Sequence, residues 1–205
     1  MTEIIFNPDD HTYTYGGVDV PSVTTLVRYM ADDIYKGVPK AILKKKADYG
    51  NKIHSLIENY AMGASLDPDK VEGFGGISLR RYVKLMQEHD IVITSCEEQV
   101  VYLDDGLPLY CGTYDMLGTV GGEPSLIDIK TTDKVHIPQL QLQLPMYKAA
   151  LEQMFNMEIQ KTYCLWLPKK HLGKLIHIEE QDFEPILEKA RRAYAKTNGD
   201  SKASR

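Results

Sequence analysis

The sequence has few cysteines and no long apolar run. Its three cysteines, Cys96, Cys111 and Cys164, stand far apart and form no C-x-x-C pair. This pattern argues against a disulfide framework, a structural zinc site and an iron–sulfur cluster, so we expect three small core side chains. No apolar stretch is long enough to cross a bilayer, and the N-terminus has no basic segment before an apolar one. We therefore expect a cytoplasmic protein.

The chain also lacks an excess of positive charge and a G-x₄-G-K-[ST] phosphate-binding loop, so no helicase segment is expected. A formal net charge of −5 argues, taken alone, against a nucleic-acid partner. Lysines nevertheless gather in two segments. Such clusters are usually solvated surface, but beside a metal centre they would contact the phosphates of DNA. The candidate DNA-binding residues are Lys44, Lys45, Lys46, Lys52, Lys169 and Lys170.

The composition is that of a soluble globular protein, and we expect one domain over residues 1–195 with a flexible polar tail at 196–205. A hairpin around Gly16 and Gly17 precedes a helix entry at Pro21 and Ser22. Hydrophobic periodicity then predicts an α/β fold with an antiparallel meander at its centre. We predict helices at 39–61, 76–89, 138–155 (kinked or starting late because of Pro145) and 182–196, and strands at 90–103, 109–120, 125–131 and 161–167.

The meander contains two acids and a lysine where buried strand is expected. If Gly121 and Gly122 form a two-residue turn, cross-strand partners have numbers that sum to 243, as those of Asp115 and Asp128 do. The two carboxylates would then face each other with Cβ atoms about 5 Å apart, and Lys130 would share their face. Paired carboxylates repel unless a cation lies between them, and oxygen ligands suit Mg²⁺ or Mn²⁺. A lysine beside them can hold or deprotonate a water, or neutralise charge on a phosphate.

A simpler interpretation is an ion pair of Asp128 and Lys130 on a solvated face. The same acid-x-lysine pattern occurs at Asp200 and Lys202, in the predicted tail, where it carries no function. Two polar stripes favour the functional interpretation. Gly50, His54 and Glu58 recur every four residues on one predicted helix, and Gln139, Gln143 and Tyr147 do so on another.

Together these motifs resemble the RecB-like branch of the PD-(D/E)XK nuclease superfamily. They are G-x₃-H-x₃-E from Gly50, G-x-x-D from Gly112, D-I-K from Asp128 and Q-x₃-Y from Gln143, and their order and spacing match that branch. The opening at residues 11–26 is similar to the start of standalone exonucleases of phages and prophages. The resemblance covers most of residues 10–167 and implies a restriction-endonuclease-like core, with a central mixed β-sheet flanked by helices.

The resemblance also implies roles for individual residues. His54, Asp115 and Asp128 would bind the divalent metal with the carbonyl of Ile129, and Lys130 would position or activate the attacking water. Gln143 and Tyr147 would touch the scissile phosphate or brace the lysine. Glu58 would act near the metal or at a second metal. Glu98 is chosen over Glu97, which would lie on the opposite face of the strand, as a further acid.

The implied activity is hydrolysis of DNA phosphodiester bonds with Mg²⁺ or Mn²⁺ and no iron–sulfur cluster, in phage-type DNA recombination, repair or processing. The setting would be the cytoplasm of a bacterium or a phage-infected cell. A strand-annealing recombinase or another replication protein is a further expected partner. Two alternatives remain, a catalytically inactive nuclease-fold DNA-binding or assembly factor and a metal hydrolase of small phosphoesters. Paired carboxylates disfavour the first, and the basic segments mildly disfavour the second.

Overall fold

The computed structural model describes residues 2–8, 12–31 and 37–203, with side chains described to residue 197. The strands are β1 (Ile4–Asn7), β2 (Thr12–Tyr15), β3 (Val18–Val20), β4 (Ile91–Cys96), β5 (Gln99–Asp104), β6 (Leu107–Thr113), β7 (Met116–Val120), β8 (Glu123–Lys130), β9 (Lys161–Trp166) and β10 (Lys174–His177). The helices are α1 (Val23–Met30), α2 (Lys40–Ala61), α3 (Gly73–Glu88), α4 (Ile137–Phe155) and α5 (Phe183–Ala203).

A five-stranded mixed sheet, in the order β10-β9-β8-β7-β4, forms the centre of the protein. β8 and β9 run parallel and the other neighbours run antiparallel. Side chains alternate across β8, so that Leu126 packs with α1, α4 and α5 while Ile127 and Ile129 pack with α2 and α3. Both faces of the sheet are therefore covered by helices, and the predicted α/β class with a helix-flanked mixed sheet is confirmed.

The turn between β7 and β8 has the predicted form. Gly121 and Gly122 have φ of +57° and +83°, a backbone conformation that glycine adopts without a Cβ clash. The pairs run from Val120 with Glu123 to Met116 with Ile127, so the predicted register is confirmed. Asp115 and Asp128 are the next residues in this register, one step beyond the last pair of the two strands.

Two predicted strands are wrong because each is broken in the middle. Residues 90–103 form β4 and β5, which are separated at Glu97, where φ is +52°. Residues 109–120 form β6 and β7, separated at Tyr114 and Asp115. β5 and β6 then pair with each other as a separate two-stranded sheet. The chain leaves one sheet and enters another at both breaks, which a pattern of β-branched residues does not reveal.

The other elements agree more closely with expectation. The hairpin β2–β3 turns at Gly16 and Gly17, although His11, where the predicted hairpin begins, lies outside the described residues. The Oγ of Ser22 accepts a hydrogen bond from the backbone N–H of Thr25 at 3.0 Å, which caps α1 as predicted. α4 does not start late, since it begins at Ile137 and continues past the buried Pro145.

Strands β1 and β10 were not predicted, and α5 continues into the segment expected to be a tail. None of the helices in the described residues combines the length and apolar character that a bilayer crossing requires.

The close approach of β4 and β7 yields a prediction about stability. A Cβ on Gly118 would lie 2.0 Å from the carbonyl oxygen of Val92, so Gly118→Ala must push the two strands apart. We expect it to lower the free energy of unfolding by about 3 kcal/mol, as severe overpacking does, measured by urea denaturation. Gly75→Ala is the control, because its Cβ would meet the flexible end of Leu56 at 3.3 Å and lie in ordinary contact with Val71 at 3.8 Å. Equal unfolding midpoints for the two variants would contradict the prediction.

Candidate active site

Asp115 is held against the end of β8 by its carboxylate. Its Oδ2 accepts a hydrogen bond from the backbone N–H of Ile129 at 2.6 Å. The side chain of Ile129 is fully buried on the face of the sheet that packs with α2 and α3, and Asp128 projects from the other face. The bond to the Ile129 N–H therefore places Asp115 beside Asp128. The predicted role of the Ile129 carbonyl as a metal ligand remains a prediction.

Asp128 and Lys130 form an ion pair at the same edge. The Nζ of Lys130 lies 2.7 Å from each carboxylate oxygen, and only the contact to Oδ1 has the geometry of a hydrogen bond. The Nε2 of Gln143, from α4, donates a longer hydrogen bond to the same Oδ1 at 3.3 Å. Asp128 is only 4% exposed, so this carboxylate sits in a nearly dry position. Gln143 therefore braces Asp128 rather than the lysine.

Helix α2 brings His54 to the carboxylates. Its Nδ1 lies 3.7 Å from Oδ1 of Asp115. Gly50, one turn earlier, allows the close approach of the chain after β8, because a Cβ there would lie 3.3 Å from Oγ1 of Thr131. Glu58, one turn after His54, has a buried Oε1 without a hydrogen-bond partner among the described residues. The polar stripe predicted on this helix thus faces the acidic cluster.

Glu97, and not Glu98, joins this cluster. Ligand atoms of His54, Glu97 and Asp115 all lie within 4.8 Å of one another. The left-handed backbone at Glu97 turns the side chain toward them, and its N–H donates to the carbonyl oxygen of Asp115 at 3.1 Å. The carboxylate of Glu98 instead accepts a hydrogen bond from the Tyr114 hydroxyl at 2.9 Å. The preference for Glu98 assumed that side chains alternate through residue 97, and the strand break removes that alternation.

A cleft of about 550 Å³ contains the site. Helix α1 contributes residues that the sequence patterns did not single out, among them Thr24 and the exposed Arg28. The ring of Tyr147 is packed against Gly112, where an added Cβ would lie 2.6 Å from its Cε1. This close packing gives a reason for the glycine in the G-x-x-D motif. The cleft is lined by Asp115, Asp128, Lys130, Gln143, Tyr147, His54 and Glu97 together with α1 residues.

The electrostatics of the cleft follow from its crowded carboxylates. Although Glu97 is exposed on its outer side, partial desolvation in the cleft and the negative charges of Asp115 and Glu58 raise its pKa to about 8. Burial also raises the pKa of Asp128 to about 6, against the opposing effect of Lys130. Burial alone would lower the pKa of Lys130, but the charges of Asp128 and Asp115 raise it to about 12. Lys130 is therefore an ammonium group at neutral pH, which suits charge stabilisation and the holding of a water better than proton abstraction.

The predicted DNA-binding lysines divide into two groups. A second groove is lined by Lys45, Lys46, Lys169 and Lys170. It also contains Thr131, the residue that follows Lys130 of the cleft. Lys44 pairs with Asp48 at 3.5 Å, and Lys52 is an exposed residue of α2. Two lysine clusters that are distant in sequence are thus brought together next to the site.

Comparisons with known proteins give a limited result. No protein-family model and no curated protein sequence matches this chain. The crystal structure of SSO0001 is similar at a TM-score of 0.43 and 17% identity, over 85% of this chain and 74% of that one. A presumed exonuclease from Eubacterium rectale is similar at a TM-score of 0.44 and 9% identity, over 71% of this chain and 63%, less than two thirds, of that one. Values this low do not establish a shared family or activity, so the geometry of the cleft has to support the function.

The raised pKa of Glu97 predicts a pH dependence of stability. Because the folded-state pKa is above the ordinary value of 4.5, the contribution of this group is fully present below pH 4.5 and is lost as the pH rises toward about 8. We expect the free energy of unfolding to fall less steeply over this range in Glu97→Gln than in the unchanged protein. Urea denaturation at several pH values measures this, with Glu72→Gln, an exposed acid at the start of α3, as the control. Parallel pH profiles for Glu97→Gln and the unchanged protein would refute the assignment.

Proposed function

We propose that this protein is a divalent-metal-dependent deoxyribonuclease, acting as an exonuclease in phage-type DNA recombination, repair or processing. The observation that carries the proposal is the convergence of His54, Glu97, Asp115, Asp128 and Lys130 in one cleft. Carboxylate ligands with an imidazole, beside an ammonium group, suit phosphodiester hydrolysis with Mg²⁺ or Mn²⁺.

The residues present fit a divalent cation. Within the described part of the chain, Glu58 Oε1 is buried without a hydrogen-bond partner, which is costly for a carboxylate unless a cation compensates. Asp128 Oδ2 also lacks a hydrogen bond, but the ammonium group of Lys130 lies 2.7 Å from it. Burial is the main cause of the raised pKa values of Glu97 and Asp128, and the negative charge of Asp115 adds to it, which a bound cation would offset. His54, Glu97 and Asp115 would hold the ion, with Asp128 beside them. When bound, the ion lowers the pKa of a coordinated water and offsets charge on the phosphate.

The side chains around this ligand set have separable tasks. Lys130, as an ammonium group, stabilises negative charge that develops on the phosphate and orients the attacking water. Gln143 keeps Asp128 in place through its hydrogen bond. Arg28, which also lines the cleft, offers a guanidinium group of the type that binds phosphate oxygens in pairs. Tyr147 of α4 and Thr24 of α1 lie near each other in the cleft, so the two helices meet at the site.

The nuclease prediction is tested with end-labelled linear and closed-circular DNA, single- and double-stranded, in Mg²⁺, Mn²⁺ or EDTA. We expect metal-dependent loss of linear DNA and survival of closed circles. Asp128→Asn keeps the size and a hydrogen-bonding group but removes the charge, and should lower the rate at least about a hundredfold. Asp19→Asn, an exposed acid of β3, should leave the rate unchanged.

Other outcomes of this assay have defined meanings. Cleavage that persists in EDTA and in Asp128→Asn would point to a different active centre or a contaminant. Cleavage of closed circles would replace the exonuclease assignment by an endonuclease. No cleavage of any polymer would favour a catalytically inactive DNA-binding or assembly factor.

Metal binding can be measured independently of DNA cleavage, through the melting temperature. Mn²⁺ binds the folded state, so millimolar Mn²⁺ should raise the melting temperature of the unchanged protein, and more at pH 8 than at pH 6 because the acids must be ionised. His54→Ala should reduce this increase by removing a ligand. His89→Ala, an exposed histidine at the end of α3, is the matched control. An identical increase in all three proteins would exclude His54 as a ligand.

A further inference from the structure

We propose that the groove next to the active-site cleft binds single-stranded DNA, with unpaired bases on its apolar floor and phosphates on its lysines. This inference rests on the proposed function, because it names the form of DNA that reaches the cleft. The groove, called the basic groove below, is lined by the first turns of α2, residues 131–133 after β8, and Lys169 and Lys170. Its volume is about 530 Å³, within the range of about 300–1,000 Å³ that holds small organic ligands such as a base.

Positive charge is concentrated in this groove. Lys45, Lys46, Lys169 and Lys170 line it, and its acidic lining residue, Asp133, lies 3.7 Å from Lys46 in an exposed pair. The chain as a whole carries a formal net charge of −5, so this surplus is local. A local basic surface on an acidic protein attracts a polyanion at one place, and the repeated phosphates of a DNA strand match a row of lysines.

Lys169 is held in position by two aromatic rings. Its Nζ lies 3.6 Å from the ring centroid of Tyr49 and 5.3 Å from that of Phe74. A cation over aromatic rings is fixed in place without being neutralised by an acid. The ammonium group of Lys169 is therefore held in the groove by aromatic rings and is available to a phosphate.

The apolar part of the groove distinguishes a single strand from a duplex. Ile42, which lines the groove, is 49% exposed, and Phe74, beside Lys169, is 52% exposed, although both are large apolar residues. Bases inside a duplex are stacked on each other and present only their edges. The bases of a single strand have free faces, which stack on aromatic and apolar side chains without sequence preference. The combination of exposed apolar groups and lysines thus favours an unpaired strand.

The basic groove continues into the cleft along one helix. Helix α2 gives Tyr49 to the groove and His54 to the cleft, about 7.5 Å apart along the helix axis. Lys130, in the cleft, is followed directly by Thr131, in the groove. A strand whose phosphate lies at Lys130 can therefore continue past Gly50 into the groove. The enzyme would act on single-stranded ends or on the frayed ends of a duplex.

Binding can be measured apart from cleavage, by fluorescence anisotropy in EDTA. The probes are a labelled oligothymidylate and a labelled blunt hairpin duplex. We expect the unchanged protein to bind the oligothymidylate more tightly. Lys169→Ala/Lys170→Ala should weaken that binding about tenfold, and the slope of log affinity against log salt should fall by about 0.7 for each phosphate that these lysines no longer neutralise. Ile42→Ala, which removes an exposed apolar side chain of the groove and no charge, should weaken binding of the single strand about fivefold while leaving the duplex affinity unchanged.

The matched control is Lys189→Ala/Lys196→Ala, which removes the same charge from exposed positions of α5 on the other side of the sheet. Equal weakening in this control and in the Lys169/Lys170 variant would overturn the proposal, as would a duplex affinity equal to that for the single strand. If the unchanged protein cleaves DNA in Mn²⁺ while the groove variants bind like the control, the groove assignment fails and the nuclease assignment stands. If binding follows the groove residues but no DNA is cleaved, the nuclease assignment fails and the groove assignment stands.

Discussion

Mutual repulsion among carboxylates is the constraint on which this site depends. Glu58, Glu97, Asp115 and Asp128 converge at one end of the central sheet, where Lys130 pairs with Asp128 and His54 lies 3.7 Å from Asp115. Burial and this crowding both make the ionised carboxylates costly in the folded protein, and together they raise the pKa values of Glu97 and Asp128. A protein retains an unfavourable charge arrangement of this kind most readily where a bound cation uses it.

The fold builds the arrangement by interrupting its strands. The breaks at Glu97 and at Tyr114–Asp115 lie next to each other, joined by hydrogen bonds between Glu97 and Asp115 and between Tyr114 and Glu98. Each break frees a carboxylate from the alternation of a continuous strand. The regular part of the sheet, β7 to β9, then supplies rigid positions for Asp128 and Lys130. The irregular backbone thus positions Glu97 and Asp115, and the regular strands position Asp128 and Lys130.

The two surfaces beside the sheet end have different chemistry, which suits different parts of one ligand. The cleft is acidic at its base and suits a cation with a phosphate oxygen beyond it. The basic groove is cationic and apolar, and suits the phosphates and bases that follow along the same strand. Helix α2 lines both the cleft and the basic groove, so a strand bound to both would lie along this helix.

The sequence by itself determined the local features. The glycine pair at 121–122 specified a tight turn, and the turn specified the register that brings Asp115 next to Asp128. Helical spacing placed Gly50, His54 and Glu58 on one stripe, since that spacing depends only on the helix period. Only the tertiary structure decided which of two adjacent acids joins the cluster. Side-chain alternation, the sole guide along a sequence, ends where the backbone at Glu97 becomes left-handed. The tertiary structure also decided that Lys45 and Lys169 share one groove. Contacts between distant segments depend on how whole elements pack, and they leave no periodic pattern in the sequence.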